Sequence, residues 1–241
     1  MIIKHLSFKF DKNSSNYFFK DLTTAFTPNN VHFIQGDNGI GKSTLFTILQ
    51  GAMTRTAFLD ASIELDGTTY SSHNNALPHA LMQQVHTVQQ NYDSMIAHQF
   101  TFMENLQLAN LPLYPGLQAL PAVTLLDLVK LLNIACDTPA YLLSGGQRQL
   151  LAILMALQKP TKVLLLDEPT ATLDKKNAHL VMQCLYQLAE RLKVTMLIIC
   201  HDKELVAQYA QRKSFVMRQL ENGERVLEKL SSDCLAENSS S

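Results

Sequence analysis

At 241 residues, with 46% apolar and 17% charged side chains, the chain can bury a substantial core as one domain with a smaller subdomain packed on it. A net charge of −1, without any run of lysines or arginines, argues against a protein that grips nucleic acid through a basic face. No stretch reaches the roughly 18 consecutive apolar residues that cross a bilayer, and the first residues lack a basic-then-apolar signal pattern, so the chain reads as cytoplasmic.

Taken in order, "MIIKHLSFKF" and "YFFKDLTTAF", on either side of the polar "DKNSSN", alternate as strands of a small antiparallel sheet. "NNVHFIQG" predicts a strand ending at a glycine, and "GKSTLFTILQGAM" a helix with a hydroxyl-rich start. From about Asn91 to Leu142 the texture changes: "FMENLQLANL" and "VTLLDLVKLLNIA" are helix-like and are separated by "PLYPGLQALP", which predicts a helical insertion into an α/β core. "LLSGGQRQLLAILMALQKP" has helical spacing of its apolar positions and stops at Pro160. "KVLLLDEP" is a buried strand with carboxylates at its C-terminal end, where open α/β sheets bind ligands. A helix from Lys175 to about Leu192, the strand "TMLIIC" and a segment "HDKELVAQYAQRK" follow. The tail 233–241 has little apolar content and is expected to fray, and with no sizeable extension after residue 230 a C-terminal regulatory domain is not expected. The four cysteines are spread without a C-x-x-C pair, which suits free, mostly buried thiols. Cys200 and His201 adjoin on a strand and so point to opposite faces, which speaks against a dyad.

Two clusters carry chemistry. The chain has nine glycines, and three of them fall in Gly36-x-x-Gly39-x-Gly41, followed at once by Lys42, Ser43 and Thr44. Glycines let backbone N–H groups turn inward around a phosphate, the helix that follows points its N-terminus at the anion, and strand and helix flank the loop correctly. The second cluster, Leu143-Ser144-Gly145-Gly146-Gln147, opens another helix and offers a hydroxyl, two glycine N–H groups and a helix N-terminus. An ordinary serine cap would look the same, but five such residues arise by accident in well under about one chain in a thousand. A nucleophile elbow is ruled out, because Leu142 stands where that motif needs glycine.

With these in place, the chain resembles the ATP-binding subunit of an ABC transporter over about residues 1–230. "GDNGIGKST" is similar to Walker A, "LSGGQ" to the family signature, "VLLLDEP" to Walker B, "TATLD" to the D-loop, "CHD" to the H-loop and "VQQN" to the Q-loop, all in the family's order. The resemblance implies a P-loop NTPase (RecA-like) core over residues 1–90 and 143–232, containing an N-terminal antiparallel β-subdomain, with an α-helical subdomain over 91–142.

It also implies roles. Gly36, Asp37, Asn38, Gly39, Ile40, Gly41, Lys42, Ser43 and Thr44 would bind ATP; Ser43, Gln90 and Asp167 would hold Mg2+. Glu168 would activate the attacking water, with His201 and Gln90 beside the γ-phosphate. On residues alone, paired carboxylates after a strand could equally cap a helix; their expected place opposite the P-loop, on an adjacent strand, favours chemistry. Gln89 competes with Gln90 for the Q-loop position, and Tyr17 with Phe10 for the aromatic that stacks on adenine; Gln90 and Phe10 are preferred. Leu143 to Gln147 would bind ATP in trans across a head-to-tail homodimer, near Asp174 of the D-loop. The implied partners are integral permease subunits docked on residues 91–142, which would hold the protein at the cytoplasmic face of the inner membrane, and a periplasmic or lipoprotein substrate-binding protein. Nucleic acid is not expected. "FTFMENLQLANLP", with "LLAILMAL" after the signature, is similar to a group of bacterial import ATPases whose partner binding proteins resemble those for tryptophan and tyrosine; lipoprotein-release and export-type ATPases share the single-cassette layout, and a non-transport cytoplasmic cassette is a further alternative.

Overall fold

The computed structural model describes residues 1–111, 134–210 and 213–230. The chain runs through β1 (Ile2–Lys9), β2 (Phe19–Ala25), β3 (Val31–Gln35), α1 (Lys42–Leu49), β4 (Phe58–Leu65), β5 (Thr68–Ser71), α2 (His79–Met82) and β6 (Val85–Val88). A 3-10 turn over Tyr92–Met95 leads to α3 (Phe102–Asn110). After the 3-10 turn Ala140–Leu142 come α4 (Gly145–Ala156), β7 (Val163–Asp167), α5 (Lys175–Leu192), β8 (Thr195–Ile199), α6 (Lys203–Tyr209), β9 (Ser214–Gln219) and β10 (Arg225–Lys229).

Two sheets form among the described residues. β2-β1-β4-β5 is antiparallel throughout, so the expected N-terminal hairpin is real and is widened by two strands that the sequence pattern left unread. The central sheet has the order β10-β9-β3-β8-β7-β6, parallel from β9 to β6, with β10 folding back antiparallel. One expectation is corrected here. β7 is not adjacent to the P-loop strand, because β8 lies between β3 and β7. β8 is buried at every position, as an interior strand covered on both faces must be.

Alternation along the central strands feeds two cores. Val31, Phe33, Leu164, Leu166, Met196 and Ile198 face a core shared with α4 and α5. Ile34, Val163, Leu165, Leu197 and Ile199 face a second, built with α1 and the antiparallel sheet. The central sheet is therefore the middle layer, and its strand ends are fixed from both sides.

α1 stops at Leu49, earlier than its pattern suggests. Gly51 adopts φ 71°, its N–H donates to Ile48 and the Ala52 N–H to Thr47, a glycine-terminated helix end. Of the helical insertion, α3 is present, with Thr101 and Glu104 in a reciprocal capping box. The "PLYPGLQALP" punctuation and most of "VTLLDLVKLLNIA" lie outside the described residues, as does the tail.

Candidate active site

The glycine loop joins β3 to α1. Gly36, Gly39 and Gly41 take φ 140°, 77° and 120°. Close approach fixes glycine at two of them: a Cβ on Gly36 would stand 2.5 Å from the Met217 carbonyl oxygen, and one on Gly41 2.8 Å from the Phe18 ring. Lys42 is only 6% exposed and donates from Nζ to the carbonyls of Gly36 (2.7 Å) and Asp37 (2.8 Å). Burial pushes its pKa below the ordinary lysine value, while the carboxylates of Glu168, Asp167 and Asp37 oppose that shift.

α1 begins at Gly41 without any side-chain cap, whereas Thr101, Ser144, Asp174 and Asp202 cap α3, α4, α5 and α6. The first-turn amides of α1 are thus left to an anion. Among the described residues no three His, Cys, Asp or Glu side chains are grouped for a metal. The exposed Ser43 hydroxyl and the half-buried Asp167 carboxylate are hard oxygen donors of the kind a Mg2+ ion takes alongside phosphate oxygens.

Three sheet neighbours converge on one carboxylate. Glu168 follows β7 at φ 49°, and its N–H donates to the Ile199 carbonyl at 3.0 Å. Its Oε2 accepts from Gln90 Nε2 at 3.3 Å, and its Oε1 lies 3.2 Å from His201 Nε2. Gln90 sits just past β6 and His201 just past β8, so consecutive strands β6, β7 and β8 each supply one group at their C-terminal ends. Gln90, rather than Gln89, makes this bond. The helix-cap reading of Asp167 and Glu168 does not hold, since the next helix, α5, is capped by Asp174. Cys200 is buried, with Sγ 3.9 Å from the Asp202 carbonyl, while His201 is exposed and turned to Glu168. They form no dyad.

At the second glycine cluster Ser144 caps α4, with Gln147 closing a capping box. A Cβ on Gly146 would come within 3.2 Å of Asn177, whose own amide is held by Asp174 at 2.7 Å. The Asn177 backbone N–H holds the Asp174 carboxyl below the usual range. D-loop and signature are thereby packed together. Sequence reasoning missed the groups that tie this helix to the Gln90 loop. Tyr92 donates its phenol to the Gly145 carbonyl at 3.2 Å; Arg148 bonds the Leu143 carbonyl at 2.8 Å and pairs with Asp93 at 3.2 Å. Among the described residues no hydrogen bond or ion pair joins 143–147 to the glycine loop 36–44.

Phe10 is 55% exposed at the rim, edge-on to Phe18 at 4.8 Å and to Phe8 at 5.0 Å. Tyr17 instead meets Phe58 at 6.0 Å and lies under the Lys9 ammonium at 4.3 Å. The aromatic cluster that reaches the glycine loop is therefore the one containing Phe10. Beside the loop a cleft of about 550 Å³ is lined by Gly36, Asn38, Ile40, Met217, Arg218 and Arg225. Arg225 has no counterpart in the sequence reading: its strand was not foreseen, and nothing near it in sequence is motif-like.

Comparison with known proteins agrees with this geometry. The ABC transporter family model matches residues 19–171. A tyrosine transport ATP-binding protein of Clostridioides difficile is 33% identical, covering 94% of this chain and 90% of its own. The lipoprotein-releasing system ATP-binding protein LolD of Treponema pallidum is 34% identical over 72% of this chain and 76% of its own. The phosphonates import ATP-binding protein PhnC 1 of Ruegeria is 29% identical over 80% and 77%. Among solved structures, CbiO1 of Clostridium perfringens superposes with TM-score 0.72 at 24% identity over 98% of this chain and 92% of that one. The cassette MJ0796, a dimer bound to ADP and Pi, gives 0.66 at 23% over 96% and 99%. Those two likenesses speak for the fold. A P-loop strand and helix, a carboxylate gathered by three strands, a capped LSGGQ helix and the family match over most of the core together mean that this chain belongs to the ABC transporter family, as a single-cassette, MgATP-dependent ATPase subunit.

Proposed function

We propose that this ATPase is the motor of a membrane importer for a small solute such as an amino acid, working as a head-to-tail homodimer at the cytoplasmic face of the inner membrane through a separate permease. Among the described residues no helix is long and apolar enough to cross a membrane, and in this reading the membrane path belongs to the permease. The small-solute reading is supported by the end-to-end match to the tyrosine transport ATP-binding protein, and its inward direction by the match to the phosphonates import ATP-binding protein PhnC 1. A docking surface in residues 91–142 is supported by the exposed Phe100, Tyr141 and Leu142. They are brought side by side because the Ala140 N–H bonds the Phe100 carbonyl and the Tyr141 N–H that of His98. A solute-binding protein outside the membrane would complete the importer.

In this reading Lys42 leaves its loop carbonyls for the β- and γ-phosphates, and the loop and α1 amides take the remaining phosphate oxygens. Ser43, Asp167 and Gln90 would hold Mg2+, which would supply neutralisation of phosphate charge. Glu168 accepts a proton from the attacking water, and His201 keeps that water and the γ-phosphate in line. Ser144 and Gly146 complete the site from the partner copy, consistent with their having no bond to the loop of their own chain. Phe10 stacks on adenine.

The test is capture from membranes. Phe100→Glu with Tyr141→Glu should abolish co-purification with an integral permease while the isolated subunit's turnover stays within about twofold. Unchanged co-purification would refute the docking surface. In cells whose copy carries Glu168→Gln, uptake of tyrosine or tryptophan should fail. If lipoprotein sorting failed instead, the second reading, favoured by the match to LolD, would replace the import reading.

A further inference from the structure

Arg225 lies at the start of β10, far in sequence from every motif, yet it touches the glycine loop. Its Nε donates to the Ile40 carbonyl at 2.9 Å and its Nη1 to the Phe18 carbonyl at 3.1 Å. The guanidinium carbon stands 4.0 Å from the centroid of the Phe18 ring, within cation–π range. Phe18 in turn meets the edge of Phe10 and crowds the place where a Cβ on Gly41 would sit. Lys20 and Glu224, paired at 2.8 Å, fasten β2 to the turn just before Arg225.

The consequence lies in the Ile40–Gly41 peptide. A trans peptide is planar, and its C=O and N–H point in opposite directions. Holding the Ile40 carbonyl toward Arg225 therefore turns the Gly41 N–H away from Arg225. Gly41 cannot be oriented by a side chain of its own, and at φ 120° its backbone has alternatives that only external bonds remove.

We propose that Arg225 is a positioning residue for the phosphate loop: it sets the Gly41 amide toward the phosphate by clamping the Ile40 carbonyl, and it ties that loop to the Phe18 ring. This rests on the glycine loop being the phosphate site. Arginine suits the task because its planar fork serves two carbonyls at once while its face lies on a ring; a lysine supplies the charge without the fork.

The test measures binding of ATP and of inorganic triphosphate, each with Mg2+, to the full chain and to Arg225→Lys, Arg225→Met and Lys42→Ala. Arg225→Met should lose about tenfold for both ligands, roughly one hydrogen bond to a charged group, with the ligand-free Tm lower by about 2–4 °C per kcal/mol lost and the protein still folded at the assay temperature. Arg225→Lys should recover less than half of the loss on a logarithmic scale. The Gly41 ¹⁵N resonance should move in both Arg225 variants, while that of Gly67, in a remote turn, stays put. Wild-type affinity in Arg225→Met, or a loss confined to ATP with triphosphate unaffected, overturns the amide-orienting role. Full recovery in Arg225→Lys also overturns it, since charge alone would then suffice. Unchanged binding in Lys42→Ala would instead sink the phosphate-loop reading itself.

Discussion

His32 shows how a single buried group makes this fold depend on pH. It is 1% exposed on β3, packed among Phe26 and Phe215, with Nε2 bonded to the Thr27 carbonyl at 2.8 Å. That carbonyl fixes the proton on Nε2, and Nδ1 is left without a hydrogen-bond partner among the described residues. Burial pushes its pKa from 6.5 to about 4, with the Thr27 bond opposing. The folded state thus binds fewer protons than the unfolded chain between those values, so stability rises with pH across the window. The contribution is fully present above pH 6.5 and lost as pH falls toward 4, a change of about 3 kcal/mol. Urea unfolding from pH 7 to 4 should show His32→Gln, which keeps an N–H for Thr27, losing less stability than the parent by about that amount. Parallel slopes in the two proteins would refute it. At this same scale the sequence was most readable where chemistry narrows the choice of residue. Lys42, Asp167 and Glu168 were visible because glycines and paired carboxylates announce themselves locally. Tyr92, Arg148 and Arg225 were not, because each acts on a backbone carbonyl, and a carbonyl leaves no trace in the sequence.

Among the elements, the loop between β6 and α3 depends on one amide. Asn105 is fully buried; its Oδ1 accepts from the Ala97 N–H at 2.8 Å, and its Nδ2 serves the carbonyls of Ala97, Phe100 and Thr101. In the sequence Asn105 looks like any surface asparagine on a helix, because its burial shows only once its partners are known. Asn105→Ala strands one N–H and several carbonyls and opens a void, so it should cost about 2–4 kcal/mol. Amide exchange in that variant should rise across residues 97–101 before it rises in β7 or β8; uniform exchange throughout would argue against a local clamp. The strands follow a similar logic. β3, β7 and β8 were legible as continuous apolar runs between polar turns. β4, β5, β6, β9 and β10 were missed because their mixed patterns reflect one wet face or a sheet edge. Even the order of the legible strands was misjudged: chemistry places Glu168 near the loop, but only pairing reveals that β8 intervenes.

For the whole molecule, the proposed sandwich turns on one chain carrying two half-sites. The Glu168 carboxylate is gathered with Gln90 and His201 beside the P-loop, while Ser144 belongs to a helix braced by Tyr92 and Arg148 to the loop that carries Gln90. If two copies close head to tail over ATP, hydrolysis is what reopens them, and a carboxamide at 168 should arrest the cycle closed. Glu168→Gln keeps the shape and the left-handed backbone at φ 49°, so the fold should tolerate it. It removes the proton acceptor and the negative charge beside the γ-phosphate. The expected outcome is turnover lowered about a thousandfold, within the usual range for losing an acid–base group, together with an ATP- and Mg2+-dependent dimer in light scattering. Tyr92→Phe placed on that background should raise the ATP concentration needed for dimerisation several-fold, because the hydroxyl that steadies Gly145 is gone, while ATP affinity of the monomer is unchanged. A Glu168→Gln protein that stays monomeric at saturating MgATP would defeat the sandwich. A dimer indifferent to Tyr92→Phe would leave the sandwich standing and show that the brace between the Gln90 loop and the signature helix is structural only.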